Sequence, residues 1–173
     1  YCPICDAYEE IDRRIGVLGG DRHALAEAMF LATYSRQVSL IAPHALDLDA
    51  EAREAAARAG IALIGAGVAA YDFSGEVARL ALRDGREIVL DTLYAALGSR
   101  TRNELGARLG VRLVEGQCFA TDAFQRTTVD GLYAAGDAVE GLDQISSAMG
   151  TGARAAVTLH NDLRARDGQT LEE

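Results

Sequence analysis

No apolar run in this chain approaches the roughly 18 residues that a membrane-spanning helix needs, and no basic-then-apolar leader opens it. Membrane insertion is therefore not expected. Basic clusters are missing too: the 17 Lys and Arg are scattered among 26 Asp and Glu, giving a net charge of -9. Nucleic acid is excluded as a partner, because neutralising phosphates requires a basic face. Histidine is sparse, with His23, His44 and His160 standing singly, and cysteine is limited to Cys2, Cys5 and Cys118. A zinc centre needs four ligands, and no second ligand pair accompanies the first two thiols, so no metal site is expected. Internal repeats and low-complexity segments are absent. The chain also lacks an initiator Met and starts one residue before its first cysteine, which predicts a fragment or a processed product.

What is present is ordinary for a soluble globular protein: 173 residues, 49% hydrophobic and 25% charged. That length suits one domain or two small ones and supplies a sizeable core. Three cysteines, two of them closely spaced, fit a reducing compartment better than a secreted disulfide scaffold, so the cytoplasm is the expected location.

The opening Tyr1-Cys2-Pro3-Ile4-Cys5-Asp6 carries the clearest chemistry. Two thiols separated by two residues can close a small disulfide ring and reopen it, and the thiolate is the species that does the exchange. Asp6 follows the second sulfur directly, placed to trade a proton with a leaving thiolate. A merely structural bridge is the alternative that spacing alone leaves open.

Downstream, Ile15 to Leu18, the glycines Gly19 and Gly20, helical spacing from Leu25 to Ala32 and the run Val38 to Ile41 form a βαβ unit with parallel strands. A helix follows over 49–58, stopped by Gly60, and a third strand over 61–64. The period then changes to two. Residues 77–83 and 87–90, joined by Asp84-Gly85, read as an antiparallel hairpin, and Thr92 to Ala96 as another apolar strand. A polar, Arg-rich connection puts a domain boundary near Gly98. Beyond it, Leu132 to Ala135 reads as a final buried strand and residues 144–164 as a helix of small residues. The fold class is α/β.

Within the first βαβ unit, Gly19-Gly20-Asp21-Arg22-His23-Ala24 stands where a dinucleotide fingerprint reads GxGxxA. Gly19 and Ala24 fit, but Asp21 replaces the middle glycine, where backbone must approach a pyrophosphate at the helix N-terminus. Ala42-Pro43-His44, after the second strand, offers neither the ribose-binding acid of NAD sites nor the arginines of NADP sites. A literal GxGxxA at 65–70 precedes strand and turn material rather than a helix, and is expected to be a decoy. Cys118, beside Phe119, is expected to be a buried small hydrophobe. In the C-terminal part, Gly136-Asp137 closes an apolar run and Gln144-Ile145 opens a helix carrying Gly150 and Gly152. Small residues there let a flat ring approach the backbone, and an aspartate at a strand end can hold a polyol hydroxyl; an ordinary strand, turn and helix is the alternative.

Together these residues resemble the low-molecular-weight thioredoxin reductase family of flavoproteins, from Cys2 to about Leu163, with three motifs in the family's order. The resemblance implies two Rossmann-like, FAD/NAD(P)-binding domains: residues 1–98 as the central nucleotide-binding-like domain carrying the CxxC, and residues 99–173 as the C-terminal part of a discontinuous FAD domain. It implies Cys2 as the interchange thiol, Cys5 as the flavin-proximal thiol and Asp6 as the acid. Gly136, Asp137, Gln144 and Ile145 would contact FAD, and Gly19, Gly20 and Ala24 would form the nicotinamide-domain turn. The implied activity is a flavin-dependent exchange of electrons with an external dithiol or disulfide, on a protein or a small-molecule thiol; a homodimer is compatible with it. The departures are Asp21, the Ala42-Pro43-His44 triplet, and the family's first FAD-binding βαβ unit, which would lie before Tyr1. They leave NADP or NAD use open. They also keep two alternatives, a FAD-dependent dithiol oxidase that uses oxygen and a non-catalytic Rossmann-like fragment.

Overall fold

In a computed structural model that describes residues 2–114 and 117–170, the chain divides into two compact units, Tyr1–Gly98 and Ser99–Glu173. The expected outer domain limits, Tyr1 and Glu173, lie outside the described residues.

The first unit begins with a short helix α1 (Pro3–Asp6), with Pro3 in its first turn where the missing N–H costs nothing, and a 3-10 helix over Ala7–Glu10. There follow β1 (Arg14–Leu18), α2 (Arg22–Leu31), β2 (Gln37–Ile41), α3 (Ala50–Arg58) and β3 (Ala62–Ile64). An antiparallel meander comes next, β4 (Val68–Asp72), β5 (Ala78–Leu82) and β6 (Glu87–Leu90), and then β7 (Thr92–Ala95). The main sheet runs in the order β3-β2-β1-β7, every pair parallel, with Val17 opposite Leu40 on one side and Tyr94 on the other.

Strand alternation divides the core between the two faces of this sheet. Ile15, Val17, Val38, Leu40 and Tyr94 pack with Leu25, Ala28 and Leu31 of α2 and with Ala52 and Ala56 of α3. Leu18 and Ile41 point the other way, onto Leu80, Leu82 and Leu90 of the meander. Each fully buried Val, Leu or Ile side chain of this set contributes about 1.5–3 kcal/mol by leaving water. The hairpin turns at Asp84-Gly85, where the Gly85 N–H donates to the Leu82 carbonyl at 3.1 Å. The GxGxxA at 65–70 leads into β4, not into a helix, so its spacing carries no nucleotide turn.

The second unit contains α4 (Glu104–Arg108), β8 (Leu113–Val114), β9 (Cys118–Phe119), a 3-10 turn at Gly136–Ala138 and the long α5 (Ile145–Arg166). Here one expectation fails: Leu132 to Ala135 is not a strand. Tyr133 makes a single isolated bridge to Arg126, the Leu132 carbonyl accepts from Thr127 at 2.9 Å, and the four side chains are half-buried. Apolar content made the segment look like a strand, but a strand needs a continuous ladder of partners, and none forms beside it among the described residues. Cys118, on β9, is half-buried rather than fully enclosed.

Candidate redox site and nucleotide turn

Cys2 is the N-cap of α1 and Cys5 lies in its only turn. This brings residues three apart onto one side, and the Cys5 thiol donates to the Cys2 sulfur across 2.7 Å. Backbone bonds hold the turn, with the N–H groups of Cys5 and Asp6 both donating to the Cys2 carbonyl at 2.8 and 3.2 Å. Cys5 is exposed and Cys2 half-buried.

Two carboxylates of this opening segment are fastened to β7. The Tyr94 hydroxyl donates to Asp6 Oδ1 at 2.7 Å, and the Thr92 hydroxyl donates to Glu10 Oε2 at 2.5 Å. Ala7, between them, is 1% exposed. Tyr94 itself is 1% exposed, and burial, then its bond to Asp6, pushes its ionisation far above the ordinary tyrosine range. Neither Tyr94 nor Thr92 announced itself in sequence, since Asp6 and Tyr94 are 88 residues apart. The available signal was a lone tyrosine in an aliphatic strand, whose polar tip must find a partner when buried.

At the β1–α2 turn, Gly19 and Gly20 are required by close approach. A Cβ on Gly19 would strike the Ala24 side chain and come within 2.6 Å of the Ala96 carbonyl oxygen; one on Gly20 would meet the Ala45 carbonyl oxygen at 2.7 Å. The turn is thus that of a dinucleotide fold, with Ala24 serving helix-to-strand packing. Its ligand face is different. Asp21 is the N-cap of α2, and its carboxylate accepts from the Ala24 N–H at 2.9 Å, in the position a pyrophosphate would take. Arg22 is held by Asp49 at 2.7 Å and Glu51 at 2.6 Å, and His23 lies 3.1 Å from Glu27. The loop after β2 folds back as well, the Asp47 N–H donating to the Gly20 carbonyl at 2.7 Å. These residues do not fit a dinucleotide phosphate: a carboxylate occupies the helix end and the nearby cation is already neutralised.

In the second unit, Gly136 and Asp137 sit in the 3-10 turn, where the Gly136 N–H donates to Thr151 Oγ1 of α5 at 3.0 Å. This bond sets the turn against α5, at whose start Gln144 is the N-cap and Ile145 is 82% exposed. Asp137 lines a cavity of about 340 Å³ with Ser99, Arg100, Thr101, Arg102 and Asp143. An exposed carboxylate beside small residues suits polyol hydroxyls and a ring edge, and so fits the sugar-alcohol end of a flavin.

A parallel sheet with an antiparallel meander, a glycine turn and a paired-thiol segment define the fold of the FAD/NAD(P)-binding disulfide oxidoreductases. Residues 4–152 match the family described as pyridine nucleotide-disulphide oxidoreductase, and the chain belongs to it. Within that family its likeness is to thioredoxin reductases. It is 31% identical to "Thioredoxin reductase" of Mycolicibacterium smegmatis over 96% of this chain and 56% of the relative. Among solved structures it is similar to "Crystal structure of HlmI", with 27% identity, a TM-score of 0.85, and coverage of 96% of this chain and 52% of that one. The atypical thioredoxin reductase TRi from Desulfovibrio vulgaris Hildenborough is 30% identical with a TM-score of 0.54, covering 93% of this chain and 54% of that one. The chain spans about half the length of the curated relatives it matches.

Proposed function

We propose that this protein is a flavin-dependent disulfide oxidoreductase of the thioredoxin reductase type, with Cys2 and Cys5 as the exchanging pair and Asp6 as their proton-transfer group. The observation that carries this reading is the 2.7 Å approach of the two sulfurs on α1, with the next residue in the chain, Asp6, anchored to the sheet. In the reducing direction the Cys2 thiolate attacks one sulfur of an external disulfide, whose S–S bond breaks and releases a thiolate. Cys5 then loses its proton to Asp6 and attacks the Cys2 sulfur, releasing the second thiolate and closing the Cys2–Cys5 disulfide. Two electrons pass to the partner, a disulfide-bearing protein or a small-molecule disulfide; the reverse sequence oxidises a dithiol.

FAD, when bound, supplies two-electron exchange with the pair. Residues 99–173, as part of the FAD domain, would hold it through Gly136, Asp137, Gln144 and Ile145, while residues 1–98, the central domain, carry the thiols. Asp21 at the α2 N-terminus favours a second reading, in which dithiols are oxidised and oxygen, not a nicotinamide, takes the two electrons and two protons as hydrogen peroxide. A reducing cytoplasm and a dimer of this chain belong to both readings. No helix among the described residues is long and apolar enough to cross a membrane.

The test is an anaerobic titration of the full-length flavoprotein, first with a dithiol and then with oxygen or NADPH. Bleaching by dithiol that requires both Cys2 and Cys5 supports the exchange reading, and recovery by oxygen with peroxide release selects the oxidase direction. Bleaching by dithiol that persists in Cys5→Ser would remove the pair from the chemistry.

A further inference from the structure

Tyr94 is an expensive choice for its position. Its ring lies in the core between the β-sheet and α2, among Ile15, Val17, Leu25 and Leu31, where phenylalanine would pack with no polar atom to satisfy. The hydroxyl instead reaches the redox segment and donates to Asp6 Oδ1 at 2.7 Å. The strand that carries it cannot shift easily, since Tyr94 stands in parallel register with Val17 of β1, and Ala96 continues the ladder to the Leu18 carbonyl at 2.9 Å. A core-locked ring therefore delivers a fixed donor to the carboxylate that follows Cys5 in the chain. The same strand also fastens Glu10 through Thr92, an anchor of the segment that does not involve Asp6. The Tyr94 hydroxyl thus sits against the carboxylate of Asp6, on the strand that also binds Glu10.

We propose that Tyr94 is the positioning residue of the thiol chemistry: its hydroxyl holds one oxygen of Asp6 so that the other is kept oriented to take the Cys5 proton when the mixed disulfide is resolved. The proposal rests on Asp6 acting as the proton acceptor for Cys5. A tyrosine is suited to this task because it donates a single directed hydrogen bond and, being buried, does not itself give up its proton in the neutral range.

The experiment uses the reduced protein in a Cys118→Ser background, with a nitrobenzoate disulfide that releases a coloured thiolate on attack and a second one on resolution. Attack by Cys2 and resolution by Cys5 then appear as two phases. Asp6→Asn slows the second phase by about 10²-fold or more, the usual scale of general acid–base assistance. Tyr94→Phe, which keeps the ring and the fold, slows the second phase by about three- to tenfold, the worth of one directed hydrogen bond, and leaves the first phase unchanged. In the Asp6→Asn background, Tyr94→Phe has no further effect, because the two act as one unit.

Equal slowing of both phases by Tyr94→Phe, or slowing that persists undiminished in the Asp6→Asn background, would overturn the positioning role and leave Asp6 in place. So would the same second-phase loss in Thr92→Val, which loosens the segment without touching Asp6. An Asp6→Asn protein that resolves as fast as its parent would instead overturn the acid–base reading on which the proposal stands.

Discussion

The carboxylate of Asp21 accepts a hydrogen bond from the backbone N–H of Ala24 at 2.9 Å, filling with the protein's own charge the helix end where a dinucleotide phosphate would bind. Arg22 does not offset it, because Asp49 and Glu51 already hold the guanidinium. We expect weak NADPH and NADH binding, and Asp21→Gly to strengthen it by about 0.3–1 kcal/mol, the scale of one exposed charge at a helix N-terminus, by removing a carboxylate that repels phosphate there. The cap itself costs only a few tenths of a kcal/mol when glycine replaces it. Calorimetric titration of parent and variant checks both statements; tight binding by the parent would refute the first.

Cys5→Ser is expected to abolish dithiol turnover in the full-length protein while the flavin stays bound, since Cys5 lies on α1 and is not among the residues proposed to hold the flavin. Cys2 should then form a mixed disulfide with its partner that no longer resolves. Mass spectrometry of the intact protein after incubation with a disulfide substrate shows whether the adduct accumulates. Turnover at the parental rate would contradict it.

Acid stability should report Asp91. Arg14 grips this carboxylate through its side chain and backbone N–H, with Nη2 to Oδ1 at 2.5 Å and the N–H to Oδ2 at 2.8 Å, which holds it down to about 2. The folded value lies below the ordinary value of about 3.9, so the stabilisation is complete above that value and is lost as pH falls through about 2. Asp91→Asn should be less stable near neutrality and lose less of its stability on acidification. Circular dichroism across an acid titration compares the two; parallel curves would mean that the pair contributes nothing.

Asp137→Ala, made in the full-length protein, should reduce flavin occupancy, because the exposed carboxylate at the Gly136–Ala138 turn is the group suited to polyol hydroxyls. The 173-residue chain alone should hold no stoichiometric FAD. Its described glycine turn carries Asp21, and Asp137 offers a carboxylate, not a phosphate cradle. Absorbance at flavin wavelengths measures both; tightly held, stoichiometric FAD on the short chain would disprove the second expectation.

Local chemistry alone determined the βαβ unit and the hairpin of the first unit and the nature of its two motifs, but not α1 or β4 as the third strand of the meander. Apolar periods of two and about 3.6, broken by Gly19-Gly20, Gly60 and Asp84-Gly85, suffice for the βαβ unit and the hairpin, because each of those signals acts within a few residues. The CxxC and the misfit of Asp21 were legible for the same reason. What depended on distant partners was not. Leu132 to Ala135 looked like a strand until the absence of a ladder decided otherwise. The anchoring of Asp6 by Tyr94 and of Glu10 by Thr92 exists only because β7 pairs with β1 and so lies beside the opening segment. Directed hydrogen bonds between residues more than 80 positions apart are made by the sheet order, and no local pattern of residues encodes them.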